Sequence, residues 1–287
     1  MNNTIRLDSD RTLTHGERPL VMGIINCTPD SFYPESRQAH YSAAVEAARV
    51  MIRGGADILD IGGESSRPGS DPVAAPEELE RVVPVIARIR GESNIPLSVD
   101  TRKAAVAEAA IEAGANMVND ISGFRDDPAL ARVVADRGVA VVLMHMQGTP
   151  KTMQRNPHYT DTVADILDVL RERIAAARDA GIMPERIIAD PGIGFGKTVA
   201  DNLRILKHLR RFRDELGVPI LIGLSRKSFI GKVLGAEEKP LPVDERLLGT
   251  LACHAWAMRE GAAVLRVHDV AETVQLVSML AAIATVE

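Results

Sequence analysis

Cysteine is nearly absent. Cys27 and Cys253 are the two in 287 residues, too few for a disulfide framework, and no CxxC pair occurs. Two reduced, buried thiols in a cytoplasmic protein are the expectation. There is no basic excess either. With 34 basic against 39 acidic residues and a formal charge of −5, the chain has no electrostatic case for nucleic acid. Long hydrophobic runs are missing as well. Val139 to Met144 and Val274 to Val286 are the longest, short of the roughly 20 residues that cross a bilayer, so no membrane association is expected. The second contains Gln275 and Ser278 and reads as a final packed helix. Residues 1–19 hold scattered charges and no apolar core of a secretion signal; they read as an irregular tail or a cap over one end of the fold.

Several chemical motifs fail on spacing. No HExxH is present, and the seven histidines show no zinc pattern. Gly196-Lys197-Thr198 ends like a phosphate loop, but Pro191 stands where its first glycine belongs. The glycines 192, 194 and 196 do not match the dinucleotide fingerprint.

What is present is a repeat of short apolar runs. They are Leu20 to Asn26, Asp57 to Gly62, Pro96 to Asp100, Met117 to Asp120, Val139 to His145, Ile187 to Asp190, Pro219 to Leu224 and Val264 to Asp269. Continuous Val, Ile and Leu suit strands buried on both faces. Helical patterns lie between them. Ser42 is placed to cap one, Pro76-Glu77-Glu78 to open another and Thr101 to cap a third. Val163, Ile166, Leu167, Leu170 and Ile174 form an i, i+3, i+4 stripe. Val199 to Leu216 reads as one helix and Glu245 to Arg259 as another. Glycines at 54–55, 114, 138, 181, 217 and 261 separate helix from strand. Eight such units predict an α/β fold, a single-domain (β/α)8 TIM barrel over 20–287; a doubly wound open sheet is the alternative.

On such a barrel the site lies at the C-terminal strand ends. Those ends carry Asn26; Glu64, Ser66 and Arg67; Asp100; Asn119 and Asp120; His145; Asp190; Ser225, Arg226 and Lys227; and Arg266 and His268. The strand interiors read as almost free of polar side chains. Asp190 ends an apolar run, is stopped by Pro191 and is followed by three glycines. An acid there needs either a structural partner or a ligand. Carboxylates with a carboxamide suit the N–H edge of a heterocycle. Arg67, Lys227, Arg266 and His268 suit an anion such as phosphate. Taken singly, His145 reads as an ordinary strand-end histidine. Ser225-Arg226-Lys227-Ser228 reads as a solvated basic turn, with a Schiff-base lysine as a further alternative.

The motifs together resemble the dihydropteroate synthase family from about Leu20 to the C-terminus. The matching stretches are MGIINCTPDSF from Met22, DIGGESSRPG from Asp60, SVDTRK from Ser98, NDISG from Asn119, MHMQGTP from Met144, DPGIGFGK from Asp190, SRKSFIG from Ser225 and RVHD from Arg266. The resemblance implies an enzyme of folate biosynthesis. It would join 6-hydroxymethyl-7,8-dihydropterin diphosphate to p-aminobenzoate by a dissociative route, releasing diphosphate. It implies a pterin pocket of Asp100, Asn119, Asp190 and Lys227 walled by Met144, Phe195 and Gly223. Ser66, Arg67, Arg266 and His268 would hold the diphosphate, with Mg2+ on Asn26, and Ser228 and Lys227 would flank p-aminobenzoate. Asp100, Lys227 and Arg266 would carry the chemistry, and a homodimer is implied. Tyr33 to Arg37 depart from the family's usual run after its Thr-Pro-Asp-Ser-Phe, which bears on p-aminobenzoate affinity and sulfonamide response. Ser66 stands for the usual threonine, and Cys27 for a small apolar residue. A non-catalytic pterin-binding paralogue, a pterin-dependent methyltransferase and a Schiff-base aldolase are the other readings.

Overall fold

In the computed structural model, the described residues are 3–28, 34–236 and 238–286, with 34–39 described in backbone only. A short antiparallel hairpin comes first, β1 (Thr4–Arg6) and β2 (Thr12–Thr14). Eight parallel strands follow: β3 (Leu20–Asn26), β4 (Ile58–Gly62), β5 (Leu97–Asp100), β6 (Met117–Asp120), β7 (Ala140–Met144), β8 (Ile187–Asp190), β9 (Leu221–Gly223) and β10 (Val264–Val267). Each pairs with its sequence neighbours, and β10 returns to β3. A parallel bridge from Ala189 to Ile220 joins β8 to β9 and brings the ring round. The predicted TIM barrel is the observed fold, and among the described residues no helix is long and apolar enough to cross a membrane.

The period of two along each strand explains both the core and the site. Met22, Ile58, Met117, Val142, Ile188, Leu221 and Val264 are buried together inside the barrel. Their strand neighbours, such as Val21, Leu59, Val118, Val141 and Leu265, face the helices and join the larger core. Within residues 3–19 the chain forms the paired strands β1 and β2. The hairpin places Ile5 and Leu7, both fully buried, against the inner cluster, and the Leu7 carbonyl accepts from Ala140 N at 2.9 Å. The N-terminal end of the barrel is thus plugged by two side chains, each contributing about 1.5–3 kcal/mol by burial.

The helices are α1 (Pro34–Arg53), α2 (Ala75–Glu92), α3 (Ala104–Glu112), α4 (Ala129–Arg137), α5 (Thr162–Asp179), α6 (Val199–Lys207), α7 (Leu209–Leu216), α8 (Ser228–Leu234), α9 (Leu247–Arg259) and α10 (Val270–Thr285). Three differ from the sequence reading. The first begins at Pro34, not Ser42. Thr101 does not cap α3; the Asp127 carboxylate reaches over from the next loop to accept from Ala104 N at 2.8 Å. The single helix expected over 199–216 breaks at His208 (φ −113, ψ 21), although Leu206, Leu209, Phe212 and Leu216 keep one buried stripe across the break. The stripe read on α5 is buried throughout. Gly138 ends α4 in the left-handed conformation, φ 62. Tyr33, with 29–32, lies outside the described residues, and so do the side chains that follow it in the departing segment.

Candidate active site

One step of two residues toward the C-terminal end turns the apolar inner layer into a polar one. Ile58 is followed by Asp60, Met117 by Asn119, Val142 by Met144, Ile188 by Asp190, Leu221 by Gly223 and Val264 by Arg266. Asp100 occupies the corresponding place on β5, two residues beyond Ser98, which is itself fully buried. The register aligns them around the ring, with Gly62 beside Asp100, Asp100 beside Asn119, Met144 beside Asp190 and Gly223 beside Arg266.

Arg266 is the hub on one side. Its Nε donates to Asp60 Oδ2 at 2.6 Å and its Nη2 to Asp100 Oδ2 at 2.7 Å. Asn119 Nδ2 donates to the same Asp60 oxygen at 2.9 Å. Asp60 is fully buried, and its Oδ1 has no partner among the described residues. The expectation that strand interiors carry almost no polar side chains is therefore wrong for Asp60 and Ser98. The signal was available: Asp60 interrupts Ile58-Leu59 and Ile61, and an acid at that place needs a cation. Burial pushes the Asp100 carboxyl up to about 7, with Arg266 pulling against it.

Asp190 and Lys227 face each other on the opposite side without forming an ion pair. Asp190 Oδ1 accepts from Gly192 N at 2.7 Å; burial raises its pKa, and the Lys227 charge opposes that. Lys227 Nζ donates to the Ile193 carbonyl and stands 4.6 Å from the centre of the Phe195 ring, a cation–π contact. Burial brings its ammonium down to about 8, the Asp190 charge resisting. Met144 is buried with Ile121, Met146 and Met153 against Phe195. Below them Lys197 is buried with its Nζ 2.9 Å from both His145 Nδ1 and the Phe195 carbonyl. So His145 and Lys197 brace the loop after β8 from beneath.

The remaining assigned residues sit on the rim. His268 Nδ1 lies 3.0 Å from Ser225 Oγ, and burial together with the Arg266 charge lowers its pKa to about 4. Ser66 is half-buried and Arg67 exposed; among the described residues Arg67 forms no ion pair, although its charge reaches His268. Ser228 is exposed at the start of α8, and Asn26 is exposed at the end of β3. Asp120 does not belong to the rim. It faces the helix side of β6, where its carboxylate accepts from Ser122 N at 2.7 Å and Phe124 N at 2.6 Å. Glu64 pairs with Arg102 and Lys103, and Lys103 with buried Glu78, which fastens the loop after β4. A narrow, partly open cleft lined by Glu64, Ser66, Asp100 and Arg102 lies between that loop and the end of β5.

The upper barrel layer thus holds two carboxylate stations, a carboxamide and a lysine, and the family model described as pterin binding enzyme matches residues 22–268. The dihydropteroate synthase of Synechocystis sp. is 45% identical over 261 residues, covering 91% of this chain and 89% of that protein. The structure of Xanthomonas albilineans dihydropteroate synthase with 4-aminobenzoic acid matches with a TM-score of 0.90 at 46% identity, covering 100% of both chains. A second structure of that enzyme, in complex with 7,8-dihydropteroate, matches with a TM-score of 0.85 at 44% identity over 100% of both chains. The chain belongs to the dihydropteroate synthase family.

Proposed function

We propose that the protein joins 6-hydroxymethyl-7,8-dihydropterin diphosphate to p-aminobenzoate, giving 7,8-dihydropteroate and diphosphate, a step of folate biosynthesis. The observation that carries this reading is the division of the inner layer. Asp190, Lys227 and Phe195 on one side suit a flat ring with N–H donors and a carbonyl. Arg266 and His268 on the other suit its diphosphate arm.

Asp190 has spent one lone pair on Gly192 N and keeps the rest for the ring N3–H and 2-amino group. Lys227 exchanges the Ile193 carbonyl for the ring carbonyl, with Phe195, Met144 and Gly223 as walls and Asn119 beside the ring. Arg266 uses Nε and Nη2 on Asp60 and Asp100, leaving Nη1 for a diphosphate oxygen, with Ser66, Arg67 and His268 around it. The carbon–oxygen bond to diphosphate breaks first, and its electron pair leaves with the diphosphate. Asp100 and the pterin ring stabilise the cation on the methylene carbon. The aniline nitrogen of p-aminobenzoate, held between Lys227 and Ser228, then forms the new carbon–nitrogen bond. Its extra proton passes to diphosphate or solvent, so no strong general base is needed.

Magnesium fits the donor set. Asn26 presents an exposed carboxamide at the end of β3 that makes no hydrogen bond to protein among the described residues. Asn26 would hold Mg2+ through a hard side-chain oxygen, a donor type that suits this ion. When bound it supplies positive charge to the departing diphosphate.

A homodimer and a cytoplasmic location belong to the same proposal. Leu234, Leu248, Trp256, Met279 and Ile283 are exposed on α8, α9 and α10, an apolar face suited to a second copy. Both cysteines are free thiols, as suits a reducing compartment. Light scattering on the purified protein, with Leu248→Glu as the comparison, decides the oligomeric state. The activity is tested by incubating the protein with Mg2+, the pterin diphosphate and p-aminobenzoate and identifying the product by mass. Dihydropteroate supports the assignment; binding of the pterin diphosphate without any product would mean a non-catalytic paralogue.

A further inference from the structure

Arg226 lies between two residues of the site in sequence, yet its side chain points to neither substrate region. Its backbone sits at φ 55, the left-handed region that non-glycine residues seldom use. Contacts to both its backbone and its guanidinium hold it there. Arg226 N donates to Thr250 Oγ1 at 3.0 Å, and its carbonyl accepts from Arg246 Nη1 at 3.0 Å. Nη1 approaches the Val243 carbonyl at 3.3 Å. Nε and Nη2 form a two-pronged bond to Asp269, at 2.9 and 2.7 Å. Asp269 directly follows His268. The β9–β10 ladder ends at the pair Gly223 and Arg266, so strand pairing does not join the two loops beyond that point. Ser225 with His268 and Arg226 with Asp269 are the side-chain ties that do.

We propose that the Arg226–Asp269 pair is a positioning clamp. It fixes the loop after β9, which carries Lys227, against the loop after β10, which carries His268, and so sets the distance between the pterin station and the anion station. This rests on the functional reading above. The planar guanidinium and carboxylate suit the task, because a two-pronged bond fixes orientation as well as distance. A left-handed residue held by this many partners has one place to sit, and Lys227 follows it in the chain.

A clamp of this kind acts on a ligand that spans both stations and not on either half alone, because only the joined ligand gains from fixed spacing. The test uses equilibrium binding of three probes: 6-hydroxymethyl-7,8-dihydropterin, inorganic diphosphate with Mg2+, and the pterin diphosphate with Mg2+. Asp269→Asn keeps the shape and loses the charge. Arg226→Gly accepts the same backbone angle, so it removes the clamp without forcing the loop. Arg226→Lys keeps charge and loses the second prong. Both Asp269→Asn and Arg226→Gly should bind the two halves within about twofold of the unaltered protein and the joined ligand about tenfold or more weakly, with Arg226→Lys between. Equal weakening for all three probes would mean general loosening and overturn the clamp, as would unchanged binding of the joined ligand. Failure of the unaltered protein to bind the joined ligand would overturn the functional reading itself, and the clamp with it.

Discussion

Arg266 Nε stands 2.6 Å from Asp60 Oδ2, and the two residues lie on strands paired through β3 rather than with each other. Asp60 is fully buried while the Arg266 side chain is 20% exposed. The acid therefore orients the arginine, since a carboxylate at that depth is costly to bury without a partner. Asp60→Ala removes one of Arg266's two carboxylate partners and the acceptor of Asn119. Thermal melts should show a loss of about 2 kcal/mol, below the usual cost of breaking a buried pair because Arg266 retains Asp100 and some solvent. Steady-state rates should fall about 100-fold in kcat/KM for the pterin diphosphate, equal to about 2.7 kcal/mol of transition-state stabilisation. Wild-type rates in Asp60→Ala would mean that Arg266 is aimed by Asp100 alone.

Asp100 and Lys227 set opposite limbs of a pH profile. Asp100 must be ionised to face a cation, and its carboxyl is pushed up to about 7. Lys227 must be protonated to donate to the ring carbonyl, and its ammonium is brought down to about 8. Thus kcat/KM should fall below about pH 7 and above about pH 8. Lys227→Arg should move the alkaline limb beyond the measured range, since a guanidinium does not deprotonate there. Arg266→Gln should move the acid limb upward, because the Arg266 charge holds the Asp100 pKa down. An alkaline limb that stays near 8 in Lys227→Arg would assign it to another group.

Two glycines of the site should respond in opposite ways. A Cβ at Gly192 would meet the His145 carbonyl at 1.9 Å, and its φ is 70, so Gly192→Ala forces the loop after β8 off the loop after β7. It should melt well below the wild type and lose activity. At Gly223 the nearest atoms to a new Cβ are Arg266 Cβ at 3.9 Å and Lys227 Nζ at 4.0 Å, ordinary contacts. Gly223→Ala should melt normally and raise KM for the pterin diphosphate several-fold with kcat little changed, as the methyl enters the ring's space. A melting temperature for Gly192→Ala equal to that of Gly223→Ala would contradict the close packing of the two loops.

His254 on α9 is fully buried, and neither ring nitrogen has a partner among the described residues. Burial lowers its pKa to about 4 from an unfolded value near 6.5. A base with a lowered folded pKa adds stability that is present above pH 6.5 and is lost as pH falls toward 4. The span corresponds to about 3 kcal/mol. His254→Leu should flatten this acid limb in melts between pH 7 and 4.5, and at pH 7 it should cost little, because an unsatisfied polar group is replaced by an apolar one. An acid limb unchanged in His254→Leu would place the responsible group elsewhere.

The barrel was legible because parallel strands buried on both faces write continuous apolar runs, as in Val141-Val142-Leu143 and Ile187-Ile188-Ala189. The strand-end residues were legible for the same reason: polarity returns where each run stops. Direction was not. Asn119 and Asp120 are adjacent and alike in sequence, and only register shows that one faces the barrel interior and the other braces a loop. Partnership was not legible either, since Arg266 and Asp60 are 206 positions apart and one chain carries no sign of which acid meets which base. The N-terminal hairpin was missed because Ile5 and Leu7 are two apolar residues in a polar stretch, too few for a pattern. The break at His208 was missed because the buried stripe runs through it.

The most direct measurement is the time course of diphosphate release from the pterin diphosphate and Mg2+, with and without p-aminobenzoate. The account predicts sustained release only with p-aminobenzoate, matched mole for mole by dihydropteroate, and its loss in Asp190→Ala and Lys227→Ala. Release indifferent to p-aminobenzoate, or none from folded protein, would contradict it.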